Sequence, residues 1–370
     1  MMPQSEFDAS ICPLQQGFLP PTDPLTAFDA DSEWSILDQI GLDLPSLLMN
    51  RDCRRYLASR RYPDSDQAIA NLSQPALQLA YVRLAFIASA YINQIRQPSV
   101  NLLPATIARP LVAICQRLKR PPILSYDGYA LYNWKRFEPT KPIQLGNIDT
   151  LQNFVHLYDE RWFILVHVEI EALAAPYLQK IAALQVDNKR INEQSVGELM
   201  ALLLSALPQQ ISVLKRIPEH MSAEIYFNQF RPYIRFFENV RYEGVDSVPP
   251  NQRGETGAQS AILPTLVSLL KIPHQPTELT NHLLEMRQYM PHDQRQFIAR
   301  TEALTDIRPF ADKAQFNSVL EAIAEFREIH YGWAQQYIYA KVKDPRGTGG
   351  TPYMGWLKQL IDETRAYQNP

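Results

Sequence analysis

Apolar residues recur along the chain at the spacing of amphipathic helices. Between residues 74 and 96 they fall three or four positions apart and form one stripe, with Ser73 placed to cap the helix and Pro75 in its first turn. The same periodicity predicts helices at about 160–184, 196–216, 277–290 and 313–341, and a short amphipathic helix at the C-terminus. Ser195 and Glu198 have the spacing of a capping box at the start of the helix predicted over 196–216.

Strand signals are missing from the sequence pattern. We find no sustained alternation of apolar and polar residues and no alternation of strands with helices. Residues 1–30 read as an irregular arm, and the proline-rich residues 121–150 read as a loop-rich connection. The prediction is therefore an all-α protein, with a smaller N-terminal helical domain (1–150) packed on a larger helical domain (151–370).

Composition excludes several classes of protein. The net charge of −3 offers no basic surface for nucleic acid, and the three cysteines form neither a metal motif nor a disulfide framework. The N-terminus lacks the basic and apolar regions of a signal peptide, and no uninterrupted apolar run approaches the roughly 18 residues that span a bilayer. We therefore expect a cytoplasmic protein with no membrane partner, and the sequence is compatible with a monomer.

The longest predicted helix carries the clearest chemical signal. A single imidazole, His330, falls within a stripe of large apolar residues at spacings of three and four: Val319, Ile323, Phe326, His330, Trp333 and Tyr337. A haem group needs such a face, because the porphyrin lies in an apolar slot and one neutral imidazole nitrogen binds the iron. The competing interpretation is a core histidine whose ring donates to a nearby carbonyl, and the pattern alone favours it.

Three further features could contribute to a site. His167 shares a helix face with Phe163, and two facing histidines could bind a metal or divide the roles of iron ligand and acid/base group. The other histidines lie near loops or helix ends without HExxH-like spacing, and we expect them on the surface: His156, His220, His274, His282 and His292. Arg231 lies among aromatic residues, which suits recognition of a carboxylate beside a flat ring, or else a cation–π contact. The glycine-rich residues 344–351 follow a helix and lack the lysine of a phosphate loop, so they indicate a mobile lid or a solvated hinge.

Seven segments together resemble the indoleamine 2,3-dioxygenase family, haem enzymes that open the indole ring of tryptophan and are related to the tryptophan 2,3-dioxygenases. They occur in family order over roughly residues 110–360, while the first hundred residues match loosely. The segments are PPILSYDGYALYNWKRFEPTKPI (121–143), FILVHVEIEALAA (163–175), FNQFRPYI (227–234) with RYEG (241–244), RGETGAQS (253–260), LLEMRQYMP (283–291), REIHYGWAQQYI (327–338) and RGTGGT (346–351).

The resemblance implies a cofactor, heme b, in the larger domain. His330 falls on the residue that ligates the haem iron, and Phe326, Gly254 and Ala258 fall beside the haem. Arg231 falls on the arginine that binds the substrate carboxylate, and Thr348 on the threonine that closes over the amino-acid end of the substrate. The remaining implied pocket residues are Tyr126, Tyr129, Phe163, Tyr226, Phe227 and Thr256.

Three departures from the family pattern involve four residues. His167 stands where the family has a distal serine, Tyr226 replaces a phenylalanine, and Glu255-Thr256 replaces a glycine and a serine. The resemblance implies insertion of both atoms of O2 across the indole C2=C3 bond of L-tryptophan, or of a close indole, to give N-formylkynurenine. His167, Arg231 and Thr348 are then the expected catalytic residues. The departures leave two alternatives open, a haem protein with another aromatic substrate or with peroxide, and a gas sensor with His167 as distal ligand.

Overall fold

The computed structural model describes residues 14–188, 191–341 and 353–368. The glycine-rich segment with Thr348, and Cys12, lie outside the described residues, so the predictions made for them stay predictions. Over the described residues the chain is 61% helix and 4% strand, which confirms the all-α prediction.

Fifteen α-helices are formed by the described residues. They are α1 (Ser35–Leu48), α2 (Cys53–Ser59), α3 (Asp66–Ala70), α4 (Gln74–Asn93), α5 (Ala105–Arg117), α6 (Tyr158–Leu173), α7 (Ala175–Val186), α8 (Glu193–Leu214), α9 (Ile217–His220), α10 (Ala223–Ile225), α11 (Ile262–Leu270), α12 (Glu278–Arg287), α13 (His292–Glu302), α14 (Lys313–Tyr337) and α15 (Tyr353–Ala366).

Helix starts and ends follow local chemistry, with two corrections to the sequence prediction. The Ser73 side chain accepts from the Ala76 amide at the start of α4, as predicted. The start of α8 is capped by Asn192, and Ser195 completes the capping box from inside the helix, because the asparagine amide is an equally good N-cap. The helix predicted at 160–184 is two helices that meet at Ala174, where Pro176 occupies the first turn of α7.

Among residues 14–188, 191–341 and 353–368, four short strands form two minimal sheets. Strand β1 (Leu102–Leu103) pairs in parallel with β4 (Arg241–Tyr242), and β2 (Trp134–Arg136) pairs antiparallel with β3 (Ile148–Thr150). The second pair lies inside the predicted loop-rich connection, which also contains one π-helical turn at Asp127–Leu131. A second π-helical turn spans Tyr226–Phe230. Single π-turns are often found at functional sites.

The buried apolar side chains of the described residues form two clusters. The first is built on α1, α2, α4 and α5, and it also takes in residues 233–242 and part of α12. The second is built on α7, α8, α11, α13 and α14. Helix α6 contributes Leu165 to the first cluster and Val166 to the second, so it lies between them. The division into domains at residue 150 remains a prediction.

Within the part of the chain that the structure describes, two helical stretches are long and apolar enough to cross a membrane by length and composition alone. They are Gln74–Asn93 and Glu193–His220, each with a mean hydropathy of 1.3. The sequence prediction concerned continuous apolar runs, whereas these two helices pass on their mean hydropathy although polar residues interrupt their apolar runs. The core helices of folded domains pass the same test, and 78% of the first window and 50% of the second are buried within the protein. The two stretches are therefore weak evidence for a membrane span.

Candidate functional site

One cavity of about 440 Å³ opens where α6, α11, α12 and α14 converge with the segment 254–260. Most of its surface is apolar, and its size suits a cofactor or small-molecule site. Of the residues that the sequence assigned to a site, the structure brings eight together on its wall: Tyr126, Phe163, His167, Tyr226, Thr256, Ala258, Phe326 and His330.

His330 lies on α14 between Phe326 and Trp333, and all three side chains face the cavity. Its ring is open to the cavity while lying deep within the protein. Burial lowers the pKa of His330 to about 4, and the neighbouring His167 lowers it further as a secondary cause. Among the described residues, no side-chain partner takes a hydrogen bond from this ring. His330 is therefore a neutral imidazole with a free nitrogen lone pair, which is the form that binds iron.

His167 faces the same cavity from α6. Its Nδ1 lies 2.7 Å from the carbonyl oxygen of Phe163, one helical turn earlier. A carbonyl only accepts, so Nδ1 carries the hydrogen in this tautomer assignment and Nε2 is left with its lone pair. Burial lowers the pKa of His167, which keeps the ring neutral at physiological pH. His167 thus offers the cavity an acceptor.

Aromatic rings form the wall around His167. The ring of Phe163 lies 4.6 Å from the His167 ring, and that of Tyr126 lies 5.9 Å from it, both edge-on. Tyr226 packs against Phe163 at 5.5 Å and against Tyr337 of α14 at 5.9 Å. Such a wall accommodates a flat aromatic ligand by ring contacts.

Behind this wall lies a buried carboxyl group, Glu171. Its Oε1 accepts hydrogen bonds from the Tyr126 hydroxyl at 2.9 Å and from the Ser260 hydroxyl at 2.7 Å. Its Oε2 is buried without a hydrogen-bond partner, and burial raises the pKa of Glu171 to about 7. Sequence reasoning missed this residue, although it follows His167 by four positions and so shares its helix face.

The segment 254–258 is held against the turn that follows Arg231. The Glu255 amide donates to the Ile234 carbonyl at 3.1 Å, and the Gln259 side chain donates to the Gly254 carbonyl at 2.9 Å. A Cβ on Gly254 would lie 2.4 to 2.5 Å from backbone atoms of residues 234–236, so glycine is required there by chain packing. Thr256 caps the turn by accepting from the Ala258 amide.

Glu255 is a second carboxyl group at the site. It lines the cavity beside Thr256 and is 4% exposed. Burial raises the pKa of Glu255 to about 8, and its charge in turn helps to raise the pKa of Tyr126 and Tyr129. Its carboxyl group therefore lies near enough to Tyr126 on the cavity wall, and to Tyr129 behind that wall, to influence both.

Four predicted site residues within the described part of the chain do not line the cavity: Gly254, whose packing is described above, and Arg231, Phe227 and Tyr129. Arg231 is buried with its guanidinium 5.4 Å from the centre of the Phe227 ring, and neither residue lines the cavity. Tyr129 lies one layer behind Phe163, where its hydroxyl donates to Glu160 at 3.2 Å. Their roles toward a substrate stay predictions.

Two histidines that the sequence pattern assigned to the surface line the cavity instead. His274 and His282 are half-buried, and His282 packs its ring 5.4 Å from that of Trp356 on α15. His274 is held by Glu363, also on α15, at 2.5 Å. The prediction failed because helix ends and loops form this side of the cavity, and such packing leaves no periodic signal. The other three histidines outside the site, His156, His220 and His292, are exposed as expected.

Comparison with known proteins gives a consistent result. The sequence profile described as "Indoleamine 2,3-dioxygenase" matches residues 7–367. Indoleamine 2,3-dioxygenase 1 of Rattus norvegicus is 26% identical, over 87% of this chain and 88% of that protein. Indoleamine 2,3-dioxygenase of Saccharomyces cerevisiae is 27% identical, over 95% and 91%. A 6-hydroxytryptophan 2,3-dioxygenase of Fusarium equiseti is 25% identical, over 95% of both chains.

The match covers nearly the whole chain, including the N-terminal hundred residues that resembled the family only loosely. The relatives are oxidoreductases, and the family is one of haem enzymes that act on indoles. A neutral histidine on a long helix, facing an apolar cavity, is the arrangement such an enzyme requires. This chain belongs to the indoleamine 2,3-dioxygenase family and is an oxidoreductase of the dioxygenase type.

Proposed function

We propose that this protein is a haem-dependent dioxygenase that inserts both atoms of O2 across the indole C2=C3 bond of L-tryptophan, or of a close indole, to give N-formylkynurenine. The observation that carries the proposal is His330: a neutral imidazole with a free nitrogen, facing an apolar cavity of about 440 Å³. The names of the relatives support the reaction class.

The cavity residues fit heme b. His330 would ligate the iron, and Phe326 on the same face would contact the porphyrin, together with Ala258 from the opposite segment. Gly254 lies behind that segment, where it permits the close packing of the chain. Bound there, the haem would supply the activation of O2.

The protein's own residues would bind and orient the indole. The rings of Tyr126, Phe163 and Tyr226 would hold its plane, and they would exclude water from the reacting carbons. His167 would accept the indole N–H at Nε2, because its Nδ1 hydrogen is committed to Phe163. The predicted carboxylate contact with Arg231 requires this side chain to move toward the cavity, or the substrate to extend beyond it.

The exact indole is the finer part of the proposal. The Fusarium relative is named for 6-hydroxytryptophan, so proteins of similar identity to this chain are named for different indoles. Tyr226 adds a hydroxyl to the wall where the family has phenylalanine, which could distinguish ring substituents. We propose L-tryptophan as the first substrate to test, and a cytoplasmic enzyme without nucleic-acid or membrane partners as its setting.

A second candidate is a haem-based gas sensor. One observation favours it: His167 keeps a free Nε2 on the cavity wall and lies close enough to His330 to affect its pKa. In a sensor, His330 and His167 would both ligate the haem iron. The absorption spectrum of the reduced, ligand-free protein separates five-coordinate iron, expected for the dioxygenase, from six-coordinate iron, expected for the sensor.

The experiment that tests the proposal is haem reconstitution of wild type and of His330→Ala. Wild type is expected to show a Soret band and to form N-formylkynurenine from L-tryptophan, O2 and a reductant. His330→Ala is expected to lose both. If wild type stays colourless with added haem, every haem-dependent function is overturned. If wild type binds haem but forms no product from any indole, the dioxygenase is refuted and the gas sensor remains as the candidate function.

A further inference from the structure

One face of α2 lines a surface pocket of about 280 Å³, at the point where this helix follows α1. Asp52, Tyr56 and Arg60 succeed one another at spacings of four along this face, and Arg55 lies beside them. We call it the α2 pocket. Among the described residues it shares none with the cavity that His330 faces. Ligand pockets usually measure about 300–1,000 Å³, so the α2 pocket suits a small molecule.

The segment that forms this pocket is strongly basic. Residues 51–61 contain five arginines and a single carboxylate, that of Asp52, in a chain whose net charge is −3. One of these arginines, Arg54, is half-buried and donates to backbone carbonyls at the end of α4. Arg51 and Arg61 are exposed and have no ion-pair partner among the described residues. Positive charge is therefore in excess around the α2 pocket, and it attracts anions.

Arg60 is held in place in the pocket wall with its donors unused. Its guanidinium lies over the ring of Tyr56, 4.3 Å from the ring centre. Such stacking fixes the plane of the guanidinium and leaves its nitrogens to donate at its edge. Its Nε is buried without a hydrogen-bond partner, and a buried donor costs free energy while it has no acceptor. An anionic ligand in the pocket would bring oxygen acceptors to this guanidinium.

Arg55 determines how much charge such a ligand must carry. It lines the same pocket and pairs with Asp52 at 3.0 Å. The two side chains are 81% and 63% exposed, so their ion pair is weak. A ligand with one negative charge would only replace Asp52 like for like. A phosphate monoester carries about −1.5 to −2 charges at pH 7, with three acceptor oxygens, so it gains from Arg55 and from Arg60 together.

We propose that the α2 pocket binds the dianionic phosphate group of a small phosphate monoester, through Arg55 and Arg60. The edge of a guanidinium matches two phosphate oxygens, which adds geometric selection to the attraction of charge. Because the pocket is separate from the cavity, this inference does not rest on the proposed function.

The test titrates the whole chain with glycerol 3-phosphate by calorimetry, at low salt and about pH 7.5, where the ester is dianionic. Wild type is expected to bind it with a Kd below about 1 mM. Arg55→Gln and Arg60→Gln are each expected to weaken binding by about tenfold or more, because each removes charge-assisted hydrogen bonds. Asp52→Asn is expected to strengthen binding by about two- to fivefold, because it releases Arg55 and removes a like charge.

Arg216 provides a matched control outside the pocket. It too lies over an aromatic ring, that of Trp162 at 5.1 Å, and it pairs with an acid three positions away, Glu219 at 3.1 Å. It does not line the α2 pocket, so Arg216→Gln is expected to bind the ester as wild type does. Acetate, with a single charge, is expected to bind wild type at least about tenfold more weakly than the ester. Binding is expected to be equal with and without added haem, because the site lies outside the cavity.

Three results would overturn the inference: no binding of the ester by wild type, unchanged binding in both arginine variants of the pocket, or an equal loss in Arg216→Gln. Wild type that binds a phosphoserine peptide but not glycerol 3-phosphate would also overturn it, because the ligand would then be a partner protein. The gain expected for Asp52→Asn cannot arise from misfolding, so the inference stays testable even if Arg60→Gln fails to fold. Weaker binding in Asp52→Asn would contradict it.

Discussion

Replacing Gly254 by alanine tests why the segment 254–258 lies where it does. The added methyl carbon would lie 2.4 Å from the carbonyl carbon of Arg235, and 2.5 Å from both the Ile234 oxygen and the Phe236 nitrogen. All three are backbone atoms, so no side-chain rotation relieves the contact. The segment must move away from residues 234–236.

That movement has a cost that can be estimated from two hydrogen bonds. The bond from the Glu255 amide to Ile234, at 3.1 Å, and the bond from Gln259 to the Gly254 carbonyl, at 2.9 Å, would lengthen or break. Each contributes about 1 kcal/mol net, and overpacking adds strain of roughly 1–3 kcal/mol. We expect Gly254→Ala to lower the free energy of unfolding by about 3–5 kcal/mol.

Urea unfolding of the haem-free protein measures this loss. Gly257→Ala is the matched control, because a Cβ at Gly257 meets nothing within 4 Å, and its effect is expected to stay within about 0.5 kcal/mol. If Gly254 were needed only to let a haem approach, Gly254→Ala would leave the haem-free protein as stable as wild type. That result would refute the packing argument.

Three further predictions concern buried ionisable groups. Burial raises the pKa of Glu171 from its unfolded value of 4.5 to about 7. The protonated carboxyl therefore contributes its full stabilisation below about pH 4.5, and this contribution is lost as the pH rises through 7. Between these two pH values the free energy of unfolding of wild type, measured with urea relative to Glu171→Gln, should fall by about 3 kcal/mol. Asp127→Ala should cost about 3–5 kcal/mol in the same assay, because it leaves Arg120, its buried ion-pair partner, uncompensated. Burial raises the pKa of Cys53 to about 11 and of Cys115 to about 12, so neither thiol should react with a disulfide reagent at pH 8 until the protein unfolds.

Each of these predictions has a control in the same chain. A pH-independent difference between wild type and Glu171→Gln would contradict the buried-carboxyl argument. Asp52 pairs with Arg55 at 3.0 Å with both side chains largely exposed, so Asp52→Ala should change stability by less than about 1 kcal/mol. Thiol reactivity should be measured in the Cys12→Ser variant, in which Cys53 and Cys115 are the remaining thiols. A thiol that reacts quickly while this variant is folded would refute the prediction.

The helices could be predicted because the spacing of apolar residues within each segment defines an apolar face. The apolar stripe that contains His330 predicts an inward face for that residue, and the helix α14 confirms the stripe from Lys313 to Tyr337. The first residue of a helix could not be predicted where two nearby polar residues can each cap it, as Asn192 and Ser195 can at α8. Local chemistry allows either residue to cap the helix, and in the structure Asn192 does so.

The parts of the site that sequence could not supply depend on contacts between distant segments. Glu171 accepts a hydrogen bond of 2.7 Å from the hydroxyl of Ser260, which is 89 residues away in the sequence. His274 and His282 line the cavity because α15 packs over them, and no local pattern carries that information. Conversely, the aromatic surroundings of Arg231 predicted a ligand contact, whereas in the structure its guanidinium lies 5.4 Å from the centre of the Phe227 ring, and neither residue lines the cavity.

The central claim is that His330 holds a haem that supports dioxygenation of an indole. Its most direct test is the mass of N-formylkynurenine formed from L-tryptophan under isotopically labelled O2, by haem-loaded wild type beside His330→Ala. The account predicts product in which both inserted oxygen atoms are labelled, formed by wild type and absent from the variant. Haem-loaded wild type that forms no such product, or product labelled at a single oxygen, would contradict it.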